Sequence, residues 1–189
     1  IPLTGFLKNL PQRRFFFIKY RFGFLLVYRL LAYMKPASLK DIKTEIELMS
    51  AHELSLFIMR LAKFKKENKE LITYLLFDAQ DEPGFIHSVK AELEDLFTRV
   101  NVSNLYFAKK TIRKIARYAN RYIKYAASPV VEIEIEMAVC TGIRKLPIDL
   151  NKSTALQNLY NARVKKINKA LASLHEDLQF EYKDAIARL

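Results

Sequence analysis

Glycine is scarce in this chain of 189 residues, with only four present, and no two of them lie close together. Loops that hold phosphate through backbone N–H groups need clustered glycines, so this class of nucleotide site is excluded. Proline is also infrequent, at six residues, and tryptophan is absent. A globular composition with so few helix breakers favours long regular elements.

Cysteine and histidine are too few to indicate a metal centre. The single cysteine, Cys140, cannot form an intramolecular disulfide and has apolar neighbours, which indicates a packed thiol in a reducing compartment. The three histidines are far apart in the sequence, and none belongs to a Glu-x-x-His or His-Glu-x-x-His motif. Cys140 has no histidine near it in the sequence, and Ser153 followed by Thr154 is typical of a helix cap, so neither side chain indicates a catalytic nucleophile. The sequence predicts no metal, no cofactor and no enzymatic activity.

Long hydrophobic runs are missing even from the most apolar segment, residues 1–33. Its longest uncharged run, residues 22–28, is far shorter than the roughly 20 residues of a membrane-spanning helix. Residues 1–40 contain eight basic and no acidic side chains, which supply most of the net charge of +12. The segment could be an extension outside the domain, an ordinary packed segment, or an interfacial segment on an anionic membrane. Because the first methionine is Met34, we favour a basic, aromatic-rich extension over 1–33 and a helical domain over 34–189.

Helical periodicity dominates the rest of the chain. Ser38, and Ser50 with Glu53, have the spacing of helix N-caps ahead of apolar residues. We predict an all-α fold, a single compact array of six or seven helices, with a long basic helix near 104–126 and a long C-terminal helix. The pattern allows the latter to run from Lys152 to about Leu189. Its predicted packing seam consists of Val164, Ile167, Leu171, Leu174 and Leu178.

Residues 131–137 give conflicting signals, because apolar residues alternate with Glu132, Glu134 and Glu136 as in a strand. However, Ser128 followed by Pro129 is typical of a helix start. A lone strand would have no partner elsewhere in the chain. We therefore predict a helix here.

The strongest functional signal is the charge pattern of residues 104–126. Between Asp95 and Glu132 the chain has eight basic and no acidic residues, and seven of the eight lie in this segment. On a helix, six cations share one face opposite an apolar face. Tyr118 and Tyr125 lie at its edge, where they could stack on bases. The predicted anion-binding residues are Lys110, Arg113, Lys114, Arg117, Tyr118, Arg121, Lys124 and Tyr125.

A structural interpretation competes with this functional one. Acidic side chains occur in three other segments, and a helix array could place them against the basic face. Surface ion pairs of that kind contribute only about 0–1 kcal/mol each, so they would be tolerated without being required. These acidic groups are Glu92, Glu94 and Asp95, then Glu132, Glu134 and Glu136, and finally Glu176, Asp177 and Glu181.

Three segments resemble a group of small bacterial helical proteins described only as hypothetical proteins. They are residues 61–76 (LAKFKKENKELITYLL), 103–125 (SNLYFAKKTIRKIARYANRYIKY) and 174–179 (LHEDLQ). The resemblance covers about residues 34–189. It implies an all-helical cytoplasmic protein and says nothing about mechanism, since no activity is established for that group.

Two functional hypotheses follow. The first is a non-enzymatic, cytoplasmic interaction protein that binds an anionic partner, RNA or DNA, through the basic helix face. The second is a protein–protein scaffold or homo-oligomer that pairs through the seam of the C-terminal helix.

Overall fold

The structure, a computed structural model, describes residues 36–189 and contains eight α-helices in this range. No strand occurs among these residues, so the all-α prediction is confirmed, with eight helices where six or seven were predicted. A π-helical turn, Tyr74–Asp78, follows α3, and a 3₁₀ turn, Leu150–Lys152, precedes α7. The helices are α1 (Leu39–Glu47), α2 (Ala51–Phe64), α3 (Lys66–Thr73), α4 (Glu82–Thr98), α5 (Leu105–Ala126), α6 (Pro129–Lys145), α7 (Thr154–Leu171) and α8 (Glu176–Ala187).

The chain divides into two units, Ile1–Leu54 and Ser55–Leu189. In the described part of the first unit, the helix starts are capped as the sequence predicts: the Ser38 hydroxyl accepts from the Asp41 N–H. The Ser50 N–H donates to the Glu53 carboxylate at 2.9 Å, as in a capping box. The predicted extension over 1–33, its boundary at Met34 and the alternatives of a packed or membrane-bound segment lie outside the described residues.

The structure has more helices than predicted because two segments with helical periodicity are each divided into two helices. At Lys65 the backbone is extended, with φ −142° and ψ 148°, and the Asn68 side-chain amide donates to the Leu61 carbonyl at 3.0 Å, which caps the end of α2. The expected continuous helix to Leu189 is interrupted after Leu171. There the Ser173 hydroxyl donates to the Ala170 carbonyl, and His175 caps the start of α8. Polar side chains compete for backbone groups at both breaks, which ends the helices.

Helix α6 is the centre of the second unit, and α4, α5 and α7 all pack against it. Val131, Ile133 and Ile135 are fully buried although they alternate with glutamates. The predicted helix is therefore confirmed, and the alternation arises because α6 is covered on several sides. Cys140, on the same helix, is buried as predicted, and this burial raises the pKa of its thiol to about 12.

Gly142 of α6 lies in close contact with Phe97 of α4. A Cβ atom built on it would lie 2.3 Å from the ring of Phe97, which is itself buried. Such a contact is far inside van der Waals range, and the surrounding core restricts movement of the ring.

Replacing Gly142 by alanine is therefore expected to destabilise the protein despite the higher helix propensity of alanine. Overpacking costs about 1–3 kcal/mol, against a propensity gain of about 1 kcal/mol. Urea denaturation should show a lower free energy of unfolding for Gly142→Ala. The exposed neighbour Thr141 is the matched control, and Thr141→Ala should be neutral or slightly stabilising. Equal behaviour of both variants would contradict the close packing.

Candidate nucleic-acid interface

Helix α5 has one buried and one exposed face, as predicted. The buried face includes Ala108, Ile112, Ile115 and Ala119, all at 1% exposure or less. Five of the six predicted cations are exposed, and none of the five forms an ion pair within residues 36–189. These five, which we call the free cations, are Lys110, Arg113, Lys114, Arg117 and Lys124.

The sixth cation, Arg121, is not free. Its Nε atom lies 3.2 Å from a carboxylate oxygen of Glu70 on α3. Its guanidinium carbon lies 5.3 Å from the ring centroid of Tyr118 and 5.4 Å from that of Tyr122. A guanidinium held by a carboxylate and by aromatic rings stabilises the packing of α5 and contributes little to an anion site. Arg121 therefore does not belong to the free cations.

Tyr118 and Tyr125 are also unsuited to the predicted stacking role. Both rings pack against the core and against Tyr122, with centroid distances of 4.7 Å and 5.6 Å. The Tyr118 hydroxyl oxygen is buried, and burial raises the pKa of Tyr118. The Tyr125 hydroxyl donates to Glu70 at 3.1 Å, and burial is the main cause that raises its pKa to about 12. Both rings therefore contribute to packing, and their stacking on bases stays a prediction that this environment does not favour.

The acidic segments do not cover the free cations. Glu134 pairs with Lys90, Glu136 pairs with Arg163 and Lys166, and Asp95 pairs with its own helix neighbour Arg99. The only α5 cation with an acidic partner in the described residues is Arg121, whose partner Glu70 lies outside the three acidic segments considered above. The structural interpretation, in which acidic helices neutralise the basic face, therefore fails for five of the six cations.

A cleft between α5 and α7 adjoins the free cations. Its volume is about 650 Å³, and no aspartate or glutamate among residues 36–189 lines it. Lys110, Arg113 and Arg117 were predicted from the sequence, but the three other polar members, Tyr106, Lys109 and Arg163, were not. We call this site the basic cleft, and its lining residues are Tyr106, Lys109, Lys110, Arg113, Ala116, Arg117, Leu159 and Arg163.

A buried polar network fixes one end of the basic cleft. Arg163 of α7 is 8% exposed, and its Nη1 donates to both carboxylate oxygens of Glu136, at 2.8 and 2.9 Å, and to the Asn120 side chain at 2.7 Å. Lys166 donates to Asn120 at 2.8 Å and to Glu136 at 3.1 Å. The network joins α5, α6 and α7, so it sets the position of α7 across the cleft. Because Glu136 neutralises Arg163, the positive potential of the cleft comes mainly from the α5 cations.

A second cleft continues beyond this network. It has a volume of about 560 Å³ and includes Lys124, Lys166 and the carboxylate of Glu132. Its mixed charge makes it a weaker anion site than the basic cleft. Lys124 lines this second cleft and not the basic cleft.

Comparisons with known proteins assign neither a family nor a function to the chain. It matches no family model, and no curated protein or solved structure is significantly similar to it. Within residues 36–189, no helix is both long and apolar enough to span a bilayer. The same residues contain no group of three or more histidine, cysteine or acidic side chains placed to bind a metal ion.

Proposed function

We propose that this protein is a non-enzymatic nucleic-acid-binding protein that holds RNA or DNA through phosphate contacts, without strong sequence preference. The free cations and the basic cleft on α5 would form the interface. The observation that supports this most is that the five cations are exposed without an ion pair in residues 36–189. Residues 1–35 contain no aspartate or glutamate that could neutralise them. Clustered unpaired cations repel one another, and a polyanion relieves that repulsion.

The arrangement suits a polymer better than a single small anion. With a rise of about 1.5 Å per residue, Lys110 and Lys124 lie about 21 Å apart along the helix axis. Cations spread over that length can contact several successive phosphates of one strand. Each neutralised phosphate releases condensed counterions, which favours binding without reading the bases.

We also propose a cytoplasmic location, which the resemblance to bacterial helical proteins implies. Cys140 supports this proposal, since a lone thiol that forms no intramolecular disulfide suits a reducing compartment.

Pairing with another protein through the C-terminal seam is the second candidate function. Four of the five seam residues pack inside the chain: Ile167 is buried, and Val164, Leu171 and Leu174 pack against the same cluster. Only Leu178 is exposed. The seam therefore has little apolar surface left for a partner. Sedimentation distinguishes the two, because a concentration-dependent dimer that ignores nucleic acid would favour the scaffold.

Binding of nucleic acid is expected to weaken steeply with salt. With about five phosphate contacts, the slope of log K against log salt should be about −3.5 for a single strand and about −4.5 for a duplex. Fluorescence anisotropy of labelled random-sequence 20-mers, with the full chain between 50 and 200 mM KCl, measures the slope. A slope near zero, or no binding at 50 mM KCl, would rule out the proposed function.

A further inference from the structure

Two aromatic side chains at the start of α5 remain exposed beside the cations. Tyr106 is 67% exposed and Phe107 is 50% exposed. Their rings meet edge to face, with centroids 5.4 Å apart. Of these two aromatic residues, Tyr106 lines the basic cleft and Phe107 does not; Lys109, Lys110 and Arg113 line it beside Tyr106. The structure therefore places an exposed aromatic side chain next to the cations of the basic cleft.

That combination is characteristic of single-strand recognition. Aromatic side chains stack on unpaired bases while neighbouring cations hold the backbone, and stacking tolerates any base because each has a π-face. In a duplex the base faces are covered by their neighbours in the stack, so an exposed tyrosine ring cannot reach them. The volume of the basic cleft, about 650 Å³, also suffices for a single nucleotide, since pockets that bind small ligands have volumes of roughly 300–1,000 Å³.

We propose that the basic cleft holds an unpaired nucleotide of a single strand, with its base stacked on Tyr106 and its flanking phosphates on Lys109, Lys110 and Arg113. This inference rests on the proposed function and adds the class of nucleic acid to it. Tyr106 and Lys110 are four residues apart, and Tyr106 and Lys109 three, so all three side chains lie on one side of the helix. A base on the ring and its phosphates on the lysines can therefore be contacted together. The 2′-hydroxyl is not required, so RNA and DNA strands share this site.

The test compares labelled single-stranded 20-mers of RNA and DNA with the DNA duplex of the same length, using the full chain. Wild-type protein is expected to bind the single strands more tightly than the duplex. Tyr106→Leu should weaken single-strand binding about 5- to 150-fold and leave duplex binding unchanged, because loss of one stacking contact falls in that range. Tyr106→Phe keeps the ring and should bind like the wild type. Phe107→Leu is the matched control, since Phe107 is exposed but does not line the cleft.

Three results would overturn the inference: wild-type protein that binds duplex as tightly as single strands, normal single-strand binding by Tyr106→Leu, or an equal loss in Phe107→Leu. With any of these, steep salt dependence and sensitivity to charge reversal at Arg113 and Arg117 would still support the proposed function. Photocrosslinking of wild-type protein to a 5-bromouracil-containing strand gives a readout that needs no variant. A crosslink at Tyr106 supports the inference, and crosslinks confined to other residues contradict it.

Discussion

Replacing Arg113 and Arg117 together by glutamate is expected to lower the affinity for nucleic acid about 100- to 1,000-fold. Both side chains are exposed, line the basic cleft and have no acidic partner in the described residues. A contact between unit charges at 4 Å in water contributes about 1 kcal/mol, and reversal replaces that attraction by a similar repulsion. Two reversals therefore cost about 4 kcal/mol of binding free energy. Anisotropy titration at 50 mM KCl measures the loss, and thermal melting should show an intact fold.

Arg60→Glu with Lys183→Glu provides the matched control for this variant. These two side chains are exposed, form no ion pair in the described part of the chain, and lie outside the basic cleft. The control lowers the net charge by the same amount, so its affinity should fall only a few-fold. Equal losses in the two double variants would mean that binding follows overall charge, to which residues 1–35 contribute seven cations. Unchanged binding by Arg113→Glu/Arg117→Glu would exclude the cleft.

The faces of α5 could be predicted from sequence because they depend on local periodicity. Apolar residues at Ala108, Ile112 and Ile115 recur every three or four positions, and a helix with one such stripe packs that stripe against the core. Charged side chains on the opposite face then stay in water because burying them without partners is costly. The exposure of Arg113 and Arg117 follows from the same rule.

The ion pair of Arg121 could not be predicted from helical periodicity. It lies on the same side of the helix as the free cations, but a carboxylate 51 positions earlier, Glu70, is brought to it by the packing of α3. Tyr125 donates to the same carboxylate. Helical spacing determines which residues share a face, whereas long-range pairing depends on how helices cross. The ion pair of Arg121 and the hydrogen bond of Tyr125 with Glu70 therefore depend on a helix crossing that the sequence pattern does not contain.

The place of Tyr106 in the basic cleft could have been predicted from the sequence. It precedes Lys109 and Lys110 by three and four residues and Arg113 by seven, which is the spacing of one helix face.

The apolar alternation in α6 could not be explained from the sequence. A helix packed by α4, α5 and α7 buries residues around most of its circumference, so its apolar residues no longer form a single stripe. The alternation of apolar and acidic residues in α6 is therefore explained by the position of this helix between three others.

The largest expected effect on stability comes from the network at the end of the cleft. Replacing Arg163 by methionine leaves the Glu136 carboxylate, which is fully buried, with Lys166 as its remaining cationic partner. Removing one member of a buried ion pair costs about 3–5 kcal/mol, because the other charge stays desolvated. Domains of this kind are stable by only about 5–15 kcal/mol. Urea denaturation of Arg163→Met should therefore show a much lower midpoint than that of the wild type.

Two further variants separate desolvation from simple loss of contacts. Lys90→Met breaks the partly exposed pair with Glu134 and should cost less than about 1 kcal/mol. In Glu136→Leu/Arg163→Met, both buried charges are replaced by apolar side chains, so much of the stability lost in the single variant should return. Asn120 and Lys166 would still lose a partner, which keeps the recovery incomplete. The double variant could instead be less stable than Arg163→Met. The ion pair would then stabilise the fold by itself, and the unpaired charge of Glu136 would not explain the lower stability of the single variant.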